Sequence, residues 1–472
     1  MEKDLTEASF RADLIGEGKK YIIITFGCQA NEFDTEVLAG MLESMGYCTA
    51  SAPEDADLIL INTCAVRRKP EEKVAGMLGR LRKLKEKNDG LVIAVGGCMS
   101  QQPAVAADLA RRFPFVNLIF GTHALPRFPQ ILAQARGAGR PLIDVAENGG
   151  SREGLPVRRS SSFHAWLPVI YGCNNYCSYC IVPHVRGRER SRPFKNIVAE
   201  ARSLAAAGYK EITLLGQNVN SYGNDRKEGY DFADLLAELD RIEGLWRIRF
   251  LTSHPKDLSP RLIGVMSRGK KICEHLHLPA QAGSNRILKM MNRRYTREKY
   301  LELIGALREA VPRIALTTDL MVAFPGESEA DFGETMDLLD EARFDQAYTF
   351  IYSPRPGTAA ARIDDPLSAA DKRERLQRLV RRQNQISLEI NRTLVGQTVE
   401  LMVEGRSKSD PAMQSGRTRT NKLVHFAASA DLGGKLVEVE ITGAFTWYLA
   451  GKRIEPLPGS VPDRMGRSGR DG

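Results

Sequence analysis

Apolar runs of strand length alternate with segments of helical period along most of this chain. In the first third, YIIIT, LILI and LVIAV are interleaved with segments such as FDTEVLAGMLESMG and EEKVAGMLGRLRKLKEK, whose apolar positions recur at helical spacing. Strand then helix, repeated, predicts a doubly wound parallel α/β domain over residues 19–136. Such sheets bind ligands at the carboxyl ends of their strands. Residues 137–162 turn rich in Gly, Arg and Ser and read as a linker.

A second repeating unit follows. AWLPVIYG, EITLLGQN, RIRFLTS, ICEHLHLPA, IALTTDLMVAF and QAYTFIYS are the expected strands, most of them followed by a helical segment such as FKNIVAEARSLAAAG. Six units over residues 163–393 predict a partial (β/α)6 barrel with its site at the carboxyl end of the strands and one side open to a bulky substrate. The segment 368–393 predicts a basic helix, a pattern usual for a solvated face. Short alternating segments then predict a small antiparallel β-barrel over 394–457, and residues 458–472 read as a disordered tail.

Composition narrows the setting. The chain has 472 residues, 43% hydrophobic and 26% charged, which suits several globular domains. No apolar run approaches the roughly 18 residues of a membrane helix, and MEKDLTEASF lacks the basic-then-apolar pattern of a secretory leader. A cytoplasmic location is therefore expected, where eight cysteines suggest ligands or buried small residues more than disulfides. The net charge of +9 is a modest pull toward nucleic acid.

The cysteines fall into a pattern. Cys28, Cys64 and Cys98 each close one of the first three apolar runs, so the expected sheet brings all three to one edge. Cys173, Cys177 and Cys180 share the loop CNNYCSYC after the first barrel strand, while Cys48 and Cys273 lack such placement and read as core. Three readings of that loop stand. Zinc needs a fourth ligand, for which His184 is in reach. A disulfide leaves one thiol over. A cubane iron-sulfur cluster held by three thiolates keeps one iron open to a substrate or cofactor.

The C-x-x-x-C-x-x-C spacing on this loop resembles the radical S-adenosylmethionine (SAM) superfamily. The wider stretch YGCNNYCSYCIVPHVRGRERSR, with GCQANEFD, NTCAVR and GGCMSQ around the first three cysteines, resembles the methylthiotransferases, most closely the MiaB family that modifies tRNA. LLGQNVNSYG, TSHPKDL, NRRYTRE, FPGES and YSPRPGT continue the likeness, and the small β-barrel expected over 394–457 resembles the TRAM domain, an RNA-binding module. Ala30, Ala282 and Ala323 depart from residues common in the family, where methionine, serine and glycine are usual.

The resemblance implies two 4Fe-4S clusters, one on Cys173, Cys177 and Cys180 and one on Cys28, Cys64 and Cys98, together with SAM. The first would cleave SAM to a 5′-deoxyadenosyl radical, and the second would supply or carry sulfur. The implied substrate is the N6-isopentenyladenosine just 3′ of the tRNA anticodon, methylthiolated at C2. Gln217, Asn218, Ser253, Gln281 and Arg188 are the expected SAM contacts. Arg190, Arg192, Arg417, Arg419 and Lys422 are expected at RNA phosphates. An electron donor such as flavodoxin or ferredoxin is implied, no membrane, and a monomer. The rivals are methylthiolation of threonylcarbamoyladenosine or of a ribosomal-protein aspartate, and a non-catalytic iron-sulfur or zinc RNA-binding redox sensor.

Overall fold

The computed structural model describes residues 16–65, 68–147, 150–407 and 410–454. The expected tail, 458–472, lies outside these residues. The first domain is a six-stranded sheet in the order β2-β1-β3-β4-β5-β6. Its strands are β1 (Lys20–Thr25), β2 (Cys48–Thr49), β3 (Leu58–Thr63), β4 (Val92–Gly97), β5 (Leu118–Phe120) and β6 (Leu142–Asp144). Every pairing is parallel. Successive side chains point to opposite faces of a strand, so Leu58 and Leu60 of β3 enter one core with the helices Gln29–Ser44 and Phe128–Arg136. Ile59 and Ile61 enter the other, with Arg68–Lys87 and Pro103–Arg112. Two cores on one sheet explain why β3 and β4 are buried at every position.

β6 lies inside the stretch read as linker. Three residues give no readable run, and the strand is fixed instead by its ladder to β5 and by Arg127, which holds Asp144 through both carboxylate oxygens at 2.8 and 2.9 Å. The rest of the linker is a seam of charge. Arg152 meets Asp34 at 2.9 Å, and Arg159 joins Glu36 at 3.3 Å to Glu200 at 2.8 Å, tying the helix Gln29–Ser44 to the second domain.

In the second domain β7 (His164–Pro168) leads into a small antiparallel pair, β8 (Ile170–Tyr171) and β9 (Arg190–Ser191). β10 (Glu211–Leu215), β11 (Arg247–Phe250), β12 (His275–His277), β13 (Ala315–Val322) and β14 (Gln346–Ile351) follow. The parallel sheets β7-β10-β11 and β12-β13-β14 are joined by a bridge between Ile248 and Ile272. The result is a six-stranded partial barrel, and among the described residues no ladder joins β7 to β14. The helix Ala369–Arg392 packs on β14. Its basic side chains are largely spoken for: Arg375 and Arg378 by Glu329, Arg382 by Asp340 and Lys372 by Asp365.

The last domain, built from β15 (Thr398–Arg406), β16 (Met413–Thr418), β17 (Leu423–Ala427), β18 (Leu436–Ala444) and β19 (Leu449–Arg453), is a closed barrel in the order β15-β16-β17-β19-β18. It departs from the expected antiparallel barrel at one ladder, β17 with β19, which is parallel. An odd number of strands cannot close in strict alternation, so one parallel pair is forced. This barrel is bolted beneath the partial one. Arg247, fully buried, donates to the Arg417 carbonyl at 2.7 Å and to the Glu400 carboxylate at 2.9 Å. Arg249 donates to the carbonyls of Thr418 and Arg419.

Candidate active site

The three neighbouring strands β1, β3 and β4 each run out into a cysteine, as the apolar runs predicted. Cys28 precedes the helix Gln29–Ser44, and Cys64 and Cys98 follow β3 and β4. Asn31 braces this edge, its amide donating to Asn62 Oδ1 at 3.2 Å and to the Thr63 carbonyl at 3.0 Å. Gly97 has φ +104°, and a Cβ there would lie 2.4 Å from the Thr63 carbonyl oxygen. Only glycine lets β4 pass so close and lets the Cys98 amide bond to Thr63 at 2.9 Å.

The second trio stands on the loop between β8 and β9. Gly172, at φ +73°, opens it where a side chain would strike the Arg188 carbonyl. Asn292 holds its crest by donating to the Tyr176 carbonyl at 3.0 Å. Burial is the main force on the thiols, pushing Cys173 up to about 11 and both Cys98 and Cys180 up to about 12. A buried thiol of this kind becomes a thiolate ligand only alongside compensating positive charge.

That charge is partly supplied by the chain. Arg186, six residues after Cys180, is buried and reaches across to the first domain, where Nε donates to Cys98 Sγ at 3.2 Å and Nη2 to Asp34 at 2.8 Å. Arg293 donates to Cys177 Sγ at 3.5 Å and to the Pro279 carbonyl at 2.6 Å. Each trio thus receives one N–H···S contact from a buried guanidinium. Such contacts are among the levers that set the potential of a sulfur-ligated cluster.

A cavity of about 700 Å³ lies between the domains, lined by Cys28, Gln29 and Asp34 on one side and by Cys173, Cys177 and Cys180 on the other. Gln217 Oε1, Ser253 Oγ and Gln281 Oε1 line it too, buried and without a hydrogen-bond partner among the described residues. Buried polar atoms are normally satisfied, so these orphans, joined on the same wall by Asn175 Oδ1, His254 Nε2 and Tyr352 Oη, mark a place for a polar ligand. Thr252 and Gln281 on its wall adopt left-handed φ of +65° and +71°. Backbone strain of this sort concentrates at ligand sites.

A second, more polar cavity of about 1200 Å³ touches Cys28 and Cys64, runs past His275, His277 and Asp319 of the partial barrel, and is bounded below by Glu404 and Arg417. The two cavities share Cys28, Gln29, Leu251, Thr252 and Asp319. Among the described residues no three His, Cys, Asp or Glu side chains close on a single ion. Thiolates on separate corners of a cube stand further apart than ligands of one ion.

The other expected contacts divide sharply. Asn218 is spent inside the fold, donating to Asp257 at 2.7 Å and accepting from the His254 amide at 3.0 Å. Arg192 is buried against Glu153 and Glu200, at 2.6 and 2.8 Å. Arg419 grips both oxygens of Glu274, and Lys422 meets Asp345 at 2.6 Å. Arg188 and Arg190 are exposed. Arg417 lines the second cavity beside Glu404. Asp34 and Arg293 were missed as functional candidates. Both sit in stretches that carried the resemblance, GCQANEFD and NRRYTRE, but spacing alone does not tell which residue turns inward.

Comparison with known proteins agrees with this architecture. Residues 167–339 match the Radical SAM superfamily, residues 392–454 the TRAM domain, and residues 20–121 a family described as Uncharacterized protein family UPF0004. The solved structure of the radical SAM methyltransferase TsrM from Kitasatospora setae superposes with a TM-score of 0.51 at 14% identity, covering 88% of this chain and 82% of that one, a likeness of fold. Partial barrel, cysteine loop and these matches define a radical SAM protein. The curated tRNA-2-methylthio-N(6)-dimethylallyladenosine synthase of Desulforamulus reducens is 54% identical, over 91% of this chain and 94% of the relative. That of Acetivibrio thermocellus is 52% identical, over 96% and 94%. This chain belongs to the tRNA-2-methylthio-N(6)-dimethylallyladenosine synthase family.

Proposed function

We propose that this chain adds a methylthio group to C2 of the N6-isopentenyladenosine just 3′ of the tRNA anticodon, using two 4Fe-4S clusters and SAM. The observation that carries the reading is the pair of cysteine trios: Cys173, Cys177 and Cys180 line one cavity, Cys28 and Cys64 line a second that shares a wall with it, and Cys98, close to those two, lies buried against Arg186. The donor set fits: three thiols for each cube, one buried guanidinium against each trio, and orphaned polar atoms beside the second. When bound, the clusters and SAM supply an electron, a carbon radical and sulfur, which a C2–H bond with no acidity and no leaving group requires.

The chain's own residues bind and orient. Gln217, Ser253 and Gln281 would hold SAM's polar groups over the barrel trio. Glu404 and Arg417 border the route by which a base enters from the small barrel's side. Of the residues expected at phosphates, Arg190 and Arg417 retain that role, and Arg188, exposed, joins them in place of its expected SAM contact. Arg192, Arg419 and Lys422 serve the fold. A small redox protein such as flavodoxin or ferredoxin would donate electrons to a cytoplasmic monomer. The names of the relatives favour this target over threonylcarbamoyladenosine or a ribosomal aspartate.

Substituting Gln217 or Gln281 by leucine leaves a polar SAM group unpaired, which costs about 1–3 kcal/mol. SAM binding should weaken about tenfold or more while iron content stays at the parent level, as measured by equilibrium dialysis and iron analysis. The function is tested by anaerobic incubation with SAM, dithionite as reductant and an isopentenylated anticodon stem-loop, followed by nucleoside mass analysis. The prenylated adenosine should gain a methylthio group. Equal gain on the unprenylated loop would overturn the assignment.

A further inference from the structure

The hairpin joining β18 and β19 ends in Phe445, Thr446, Trp447 and Tyr448, and its three aromatic side chains are 46%, 56% and 36% exposed. Phe445 and Tyr448 stack with ring centres 4.5 Å apart at 17°, and Tyr448 meets the His425 ring edge-on at 5.2 Å. The tip is rigid. The Phe445 amide donates to the Tyr448 carbonyl at 3.0 Å, and from behind Asn391 donates to the Phe445 carbonyl at 2.7 Å. The fold spends two clamps on holding apolar rings in water, and clustered exposed rings of this kind mark an interaction surface.

The position of the tip says what it meets. On β16 and β17, Val424 and Phe426 fill the small barrel's core, so Leu423 and His425 point outward, opposite Arg417 and Ser415 in the ladder. One outward face therefore runs from Arg417, on the cavity that reaches Cys64 and Cys28, through His425 to Tyr448 and Phe445. It begins with a cation at the substrate route and ends in flat ring faces. Unpaired bases stack on aromatic rings, and this gives affinity without further positive charge. Such a source of affinity is needed here, because Arg192, Arg419 and Lys422 are held by carboxylates.

We propose that the tip Phe445–Tyr448, with His425, is a stacking platform for unpaired RNA bases that flank the one entering the cavity. The proposal rests on the tRNA reading above. It is tested on the full-length protein by titration with a short RNA hairpin carrying an unpaired loop, at several salt concentrations. Trp447→Ala and Tyr448→Ala should each weaken binding about tenfold, with the slope of affinity against salt unchanged, because no phosphate contact is lost. Trp447→Phe should keep most of the affinity. RNA should quench the tryptophan fluorescence of the parent, and Trp447→Ala should remove that component. The same hairpin stripped of its loop bases should bind the parent as weakly as the alanine variants bind the intact one. Alanine variants that bind like the parent would refute the platform and leave the RNA reading standing. A parent that ignores the hairpin would refute both. A blue-shifted tryptophan signal on anionic phospholipid vesicles, with no quenching by RNA, would overturn the proposal in favour of a membrane contact.

Discussion

Cys177→Ala should take the anaerobically reconstituted protein from about eight irons to about four and reduce SAM cleavage to background, whereas Cys98→Ala should lose the same iron but still cleave SAM. The asymmetry follows from placement. Cys177 lines the cavity that holds the orphaned Gln217, Ser253 and Gln281, so the trio beside these proposed SAM contacts is the one that would reduce SAM. Cys98 ends β4 in the other domain and is buried against Arg186. Neither substitution threatens the fold, since each removes one small side chain, and with Cys98 gone Arg186 still holds Asp34 at 2.8 Å. Iron and sulfide analysis, together with 5′-deoxyadenosine release under dithionite, separates the two variants. Methylthiolation should vanish in both. If Cys98→Ala alone stopped SAM cleavage, the roles of the trios would be reversed.

Arg247→Met should unfasten the small barrel from the partial one. Arg247 is fully buried, and its guanidinium joins the Arg417 carbonyl to the Glu400 carbonyl and carboxylate. Methionine fills the volume but takes the donor from the Arg417 and Glu400 carbonyls and from the Glu400 carboxylate, which is 32% exposed and regains water, so the loss should cost about 1–3 kcal/mol. Arg417→Ala is the control. Its ion pair with Glu404 is 38% and 41% exposed, so its loss should cost under about 1 kcal/mol. Limited proteolysis and denaturant unfolding read the difference: Arg247→Met should be cut between the barrels at protease levels that leave the parent and Arg417→Ala intact. Equal resistance would mean that the apolar contacts alone hold the domains together.

Much of this molecule could be read in advance because its chemistry is local. β1, β3 and β4 are each an apolar run ending in cysteine, and the parallel sheet brings their ends together without further information. The six barrel strands and their polar loops followed the same logic. The sequence hid what depends on distant partners. Arg192 looks like a phosphate ligand beside Arg190, yet Glu153, 39 positions away, and Glu200 take it inside. Lys422 meets Asp345 across 77 positions, and Arg247 meets Glu400 across 153. A surface charge and the bolt between two domains have the same letter. β6 was too short to show a period, and the parallel ladder between β17 and β19 follows from closure, which no single segment records. Ala323 stands where the resembled family commonly has glycine, and its φ of +56° gives the reason for that preference.

The proposed reaction requires that the two trios hold clusters close enough to share one reaction space. Electron paramagnetic resonance of the fully reduced protein tests it most directly. Cys177→Ala and Cys98→Ala should each give the spectrum of one isolated cluster, and the parent should show added splitting or broadening from spin–spin coupling that neither variant has. A parent spectrum equal to the plain sum of the two variants would place the clusters too far apart and contradict the account.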